Sequence, residues 1–167
     1  TGNADISGSG VGTGVRAELG GAVVLSGGKV LSNGMVATDA GSSISTSGTE
    51  IVGTASANNG ASLNLVGGSV RASGYGVSAV YAGGPVASHV TTSADISVSG
   101  SNASAVTARN GSTINIIGGT LSGASSVLAA IGKNSTITFS NASLIQGGMQ
   151  GSTAVYAAEG AIVKLNS

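Results

Sequence analysis

Thirteen of the 167 residues carry a charge or an imidazole: six Lys or Arg, six Asp or Glu, and one histidine. Acid–base chemistry needs a carboxylate held beside a second acid or a base within hydrogen-bond reach. Few groups here qualify. Glu18 and Asp39 each follow a valine, Val15 and Val36, by three residues, and Arg16 precedes Glu18 by two. If the valines are equivalent in a repeat, both carboxylates stack on one face with the guanidinium, an arrangement suited to cleaving acidic polysaccharides around calcium or water. The plainer reading is a solvated charge patch. Asp5 and Asp95 also share a phase, but four coils of any such repeat separate them. His89 lacks a partnered serine, cysteine or second ligand and reads as an exposed loop residue. The glycine-rich stretch Gly8-Ser-Gly10-Val-Gly12-Thr-Gly14 lacks the helix and lysine of a phosphate cradle. No aspartate column for calcium and no regular Thr-x-Thr ladder for ice recurs. No catalytic residue, metal ligand or cofactor site is assigned.

Composition narrows the partners. Charged residues are 7% of the chain and the net charge is zero, so no basic field draws nucleic acid or anionic lipid. There is no cysteine, which leaves no disulfide framework. No stretch approaches the ~18 to 20 apolar residues of a membrane span, so membrane insertion by this segment is not expected. Thirty glycines suggest low complexity, yet 41% of residues are apolar and recur in register, unlike a disordered chain.

That register is clearest from Val106 to Leu121. Val106/Ala108 and Ile114/Ile116 are alternating apolar pairs, as strands with one buried face require. Asn110-Gly111 and Gly118-Gly119 turn the chain between short strands. Pairs resembling Ile114/Ile116 fall at Val23/Leu25, Ile44/Thr46, Leu63/Leu65, Ile96/Val98, Ile137/Phe139 and Val163/Leu165, with a partial one at Ile6. Eight residues before them stand Val15, Val36, Ala55, Val106, Ala129 and Val155. Seven after stand Val30, Ile51, Val70, Ala103, Leu121 and Leu144. Three apolar columns at a period of about 22 residues mark a solenoid. The expected fold is all-β, a right-handed single-stranded parallel β-helix of about seven coils spanning residues 1–167 as one domain. A β-sandwich also alternates but would not keep three aligned columns.

One step breaks the period. Leu63 and Ile96 are 33 residues apart, and Ser78 to Ala82 matches Ser104 to Ala108, which implies about eight added residues within 83–93. That segment holds the single proline and the single histidine. Loops on a scaffold tolerate insertion and commonly carry recognition, so the segment is either a neutral corner insertion or a binding protrusion. As a protrusion its contact residues are Tyr81, Gly83, Gly84, Pro85, Val86, Ser88, His89 and Thr91, with Tyr81 at the centre because tyrosine is favoured at interfaces. Tyr81 and Tyr156 share an outward phase three coils apart.

The units Gly-Ser-Thr-Ile-Asn-Ile-Ile-Gly-Gly-Thr-Leu-Ser-Gly (111–123), Gly-Ala-Ser-Leu-Asn-Leu-Val-Gly-Gly-Ser-Val (60–70) and Ala-Val-Tyr-Ala-Ala-Glu-Gly-Ala-Ile-Val-Lys-Leu (154–165) resemble coils of pertactin-like autotransporter passenger domains. The resemblance covers most of the chain in composition and period. It implies display outside a Gram-negative cell, at the surface or shed, as an adhesin or host-interaction module. The implied activity is non-catalytic binding of host or neighbouring-cell proteins, surface-bound or soluble. Two alternatives stand beside it: a secreted effector engaging one host receptor or defence protein, and a polysaccharide-acting enzyme of similar fold. No Arg-Gly-Asp adhesive tripeptide occurs. The chain reads as a fragment that continues beyond its C-terminal residue, and uncapped solenoid ends favour end-to-end self-association.

Overall fold

A computed structural model describes residues 5–7, 12–31, 33–146 and 152–166. The glycine-rich stretch at 8–14 lies largely outside them. Period-two alternation makes each apolar pair a short strand, and glycine and asparagine corners bend the chain between strands, so the described residues form strands and corners without a helix. Three parallel sheets result. The first sheet stacks Val15–Ala17, Gly34–Thr38, Thr54–Asn58, Ser78–Gly83, Ser104–Arg109, Ser126–Ile131 and Thr153–Ala158. The second stacks Ala22–Ser26, Ser43–Ser47, Ser62–Val66, His89–Thr92, Thr113–Ile116, Thr136–Ser140 and Ile162–Asn166. The third stacks Lys29–Val30, Glu50–Val52, Ser69–Ser73, Asp95–Ser99, Thr120–Gly123 and Ser143–Gln146. Each coil contributes one strand to every sheet, giving a β-solenoid of about six turns of ~23 residues.

Parallel pairing puts like positions over like, so the interior is built of ladders. In the second sheet Val23, Ile44, Leu63, Val90, Ile114, Ile137 and Val163 are in register. The third aligns Val30, Ile51, Val70, Ile96, Leu121 and Leu144. In the first, Val15, Met35, Ala55, Val80, Val106, Leu128 and Val155 form one ladder, and Ala17, Ala37, Ala57, Ala82, Ala108, Ala130 and Ala157 a second made wholly of alanine. The alanine ladder brings only methyl groups into the interior, and the branched ladders supply its bulk. Each fully buried Ile or Leu in these ladders contributes roughly 1.5–3 kcal/mol.

Four sequence expectations shift by register. Val90/Thr92, not Ile96/Val98, fills the second-sheet place; Ile96 belongs to the third-sheet ladder in place of Ala103. Ile6 bridges Val30 and so also belongs to the third sheet. Met35 and Leu128 occupy the ladder assigned to Val36 and Ala129, whose strands carry consecutive apolar residues. The supposed eight-residue insertion therefore contains the regular four-residue strand His89–Thr92. Val90 follows Ala82 by eight positions where Ile114 follows Ala108 by six, so only two residues are added there.

The corners carry their own ladders. Two residues after each alanine of the first sheet the backbone turns left-handed, at Leu19, Asp39, Asn59, Gly84, Asn110, Gly132 and Glu159. Further along this corner Ser42, Ser88, Ser112 and Ser135 are buried, and each hydroxyl accepts a backbone N–H from the preceding coil: Gly20, Gly60, Ser88 and Gly111, all at 3.0 Å. Those amides lie where no strand partner reaches, and a buried unpaired N–H is costly. Between the second and third sheets the corner alternates. Gly28, Gly68 and Gly119, all left-handed, are interleaved with Thr49, Ala94 and Ala142 along the stack. A Cβ at Gly68 would fall on the Thr49 carbonyl oxygen, and one at Gly119 on that of Ala94.

Thr46 breaks the apolar second-sheet interior. It stands between Leu25 and Leu65, and its Oγ1 is buried without a hydrogen-bond partner. An unpaired buried hydroxyl is a net cost, so Thr46→Val is expected to raise the unfolding free energy by about 1 kcal/mol. Urea titration reads this directly, and a lower midpoint for the variant would contradict it.

Candidate functional site

The variable corner of this solenoid lies between the third and first sheets. Ile51 precedes Ala55 by four positions, whereas Val70 precedes Val80 by ten and Ile96 precedes Val106 by ten. The extra residues, around Gly74-Tyr75-Gly76 and Gly100-Ser101-Asn102, stack on each other. Gly74 N–H donates to Ser99 O at 3.0 Å and Gly76 N–H to Ser101 O at 2.9 Å. Asn102 Nδ2 donates to the Tyr75 hydroxyl at 2.8 Å. Two consecutive coils thus raise a wall beside the outer face of the first sheet.

Against that wall lies a groove of about 440 Å³. Its floor is the outward row Ser56, Tyr81, Thr107 and Ala129, held in register by strand pairing. One side is Gly76, Val77 and Asn102; the other is the row Asn58, Arg109 and Ile131. Ser78 and Thr107 hydroxyls share a hydrogen bond of 2.8 Å across the floor, and Asn58 Nδ2 reaches Ser56 Oγ at 3.4 Å. Tyr81 is half-buried, and its hydroxyl end rests where a side chain on Gly83 would stand. The ring therefore lies along the strand toward Gly83 rather than standing off the sheet. Arg109 is the single charged residue of the lining. It has no carboxylate partner among the described residues, whose ion pairs are Arg16–Glu18 at 2.6 Å and Lys29–Glu50 at 3.0 Å.

The residues expected to form one contact loop divide among four surroundings. Tyr81 faces this groove and Gly83 makes room for its ring. Gly84, with φ of 104°, fills the left-handed corner place that Asn59 and Asn110 hold in neighbouring coils. Pro85 and Val86 form an exposed corner tip. Ser88 is fully buried, donating to Gly83 O at 3.1 Å and accepting from Gly60 N–H, so it serves the fold. His89 and Thr91 lie outward on the second sheet, between Ser62 and Thr113 and between Asn64 and Asn115. No single ligand spans Tyr81 and His89 along one face. Tyr156 shares the outward row of Tyr81 three strands on, through Thr107 and Ala129, as its phase implies.

The carboxylate pair does not assemble. Register of Ala17 with Ala37 places Glu18 beside Thr38, and Asp39 takes the left-handed corner place equivalent to Leu19. Glu18 pairs instead with Arg16 in its own strand row. On the third sheet Lys29 and Glu50 are in register, and the hydrogen bond and charge of Glu50 hold the Lys29 ammonium above its ordinary pKa. Lys29 is exposed and Glu50 partly so, and salt screens the pair. Among the described residues no three His, Asp or Glu side chains gather as metal ligands.

Sequence reasoning missed the wall and Arg109. Lengths between ladder residues carry the signal for the wall once Ile96 is placed in the third sheet, since Val70 to Val80 and Ile96 to Val106 then stand out as equal long spacings. Comparison of the chain with models of known protein families, with curated proteins and with solved structures finds no match.

Proposed function

We propose that this solenoid is an extracellular passenger of the autotransporter kind, displayed on or shed from a Gram-negative cell, that binds molecules of host or neighbouring cells without chemical turnover. The observation that carries the binding reading is the groove over the first sheet. It combines a half-buried tyrosine, one unpaired guanidinium, hydroxyls on its floor and amides on its sides, with no carboxylate or imidazole in its lining. Concave sites with a few convergent polar groups are where ligands bind. Coil composition, through its resemblance to pertactin-like passengers, supports the location. A rigid rod with binding groups on the outer face of a sheet suits presentation at a distance from the cell.

The test is binding of the labelled chain to intact host-type epithelial cells and to bacterial cells. Tyr81→Ala should weaken binding by about tenfold or more, the usual effect of truncating a central aromatic contact. His89→Ala, on the second sheet, should leave it unchanged. Equal binding by the Tyr81 variant and the parent, at equal melting temperature, would remove the groove from consideration.

A further inference from the structure

Resting on the reading of this groove as a binding site, we infer that it grips a carboxylated sugar, with Arg109 taking the carboxylate and Tyr81 the face of the sugar ring. The two side chains are neighbours by construction. Gly83, on which the Tyr81 hydroxyl end lies, is in register with Asn58 on one side. On the other, the pairing of Ala82 with Ala108 brings Arg109 alongside it, about 4.8 Å away by strand spacing. An aromatic ring reaching along its strand and a planar cation on the neighbouring strand thus stand side by side. One offers a surface for the C–H face of a pyranose. The other offers a donor fork matched to a carboxylate.

The rest of the lining fits the same ligand. Ser56, Thr107, Asn58 and Asn102 are uncharged donors and acceptors suited to sugar hydroxyls. The volume lies within the range of small-ligand sites, roughly 300–1,000 Å³. A phosphate-rich ligand is disfavoured, because the lining holds a single cation, whereas phosphate sites add lysine or a helix N-terminus. An isolated guanidinium with no acid beside it is free to pair with one anionic group. Glycans of cell-surface glycoproteins that end in such a sugar would meet the groove as the rod approaches a cell.

Calorimetric titration of the intact chain with 3′-sialyllactose and trigalacturonate, against lactose, maltotriose and lactose 3′-sulfate, tests this. The carboxylated sugars should bind at least about tenfold tighter than the neutral ones, the size expected of a charge-assisted hydrogen-bond pair. Arg109→Gln should abolish that difference and leave neutral-sugar binding alone, and added salt should weaken only the acidic ligands. Tyr81→Ala and Gly83→Ala should weaken binding of the carboxylated sugars alike, the second by occupying the place of the tyrosine hydroxyl while Arg109 stays intact. Preference for the sulfate ester over the carboxylates, or acidic-sugar binding indifferent to Arg109→Gln, would overturn the inference. Absence of sugar binding while Tyr81→Ala still abolishes attachment to cells would overturn the sugar and leave the groove standing. Attachment unaffected by either variant would overturn the groove reading itself.

Discussion

Replacing Ile114 by alanine will lower the unfolding free energy by about 2–5 kcal/mol. The side chain is fully buried and lies between Val90 and Ile137 in the second-sheet ladder. Truncation removes its transfer free energy and leaves a cavity that parallel neighbours close poorly, because each is fixed by its own strand hydrogen bonds. In a solenoid a coil packs only on the coils before and after it, so the loss falls on two interfaces. Urea titration should show the lower midpoint. Hydrogen exchange should show protection falling most in His89–Thr92, Thr113–Ile116 and Thr136–Ser140. A loss below about 1 kcal/mol, or one spread evenly along the rod, would contradict nearest-neighbour packing.

The second large effect separates two causes that usually act together at glycine. Gly67 and Gly68 are adjacent in one corner, with φ of 58° and 72°. An alanine at either carries the left-handed strain, about 1–2 kcal/mol. A Cβ at Gly67 meets nothing within 4 Å. At Gly68 it would lie on the Thr49 carbonyl oxygen, 2.7 Å from Thr49 N and 2.9 Å from Gly48 C. That carbonyl accepts the Ser69 N–H at 3.1 Å, the bond that starts the third-sheet pairing of these coils. Gly67→Ala should therefore lose about 1–2 kcal/mol, and Gly68→Ala about 3–5 kcal/mol. Thermal and urea unfolding of the two variants side by side gives the difference, and equal losses would show that backbone strain alone governs this corner.

How much of this was legible in the chain follows from what alternation encodes. Ladders of branched residues were readable where apolar and polar side chains strictly alternate, as in Ser62–Val66 and Thr113–Ile116. They misled where two apolar residues adjoin, at Met35-Val36 and Leu128-Ala129, because a one-residue slip is then nearly free in sequence though not in the fold. The strand His89–Thr92 was hidden because its inward pair is Val90 and Thr92, with a buried threonine whose hydroxyl accepts the Ala94 N–H at 3.2 Å. Hydropathy ranks Ile96/Val98 above it. That single misplacement moved the apparent insertion from the corners at 74–76 and 100–102 to 83–93. The groove was illegible for a further reason: its wall is built mainly of glycine, serine and asparagine around Tyr75, joined by bonds between successive corners, and such segments carry no hydrophobic period. Tyr81 was found because it is aromatic and outward. Arg109 was not, since its meaning comes from the strand beside it.

The alternation of Gly28, Gly68 and Gly119 with Thr49, Ala94 and Ala142 makes the chain a two-letter polymer rather than a homopolymer of coils. Its crystallographer's unit cell, so to speak, holds two coils. Excising or duplicating one coil would set glycine corner against glycine corner or bring two side-chain-bearing corners together, and the rod would have to change its local rise or twist to accept the fault. Growth or trimming in pairs keeps the sequence of corners unbroken. Length variants of this protein, natural or engineered, should therefore differ by even numbers of coils.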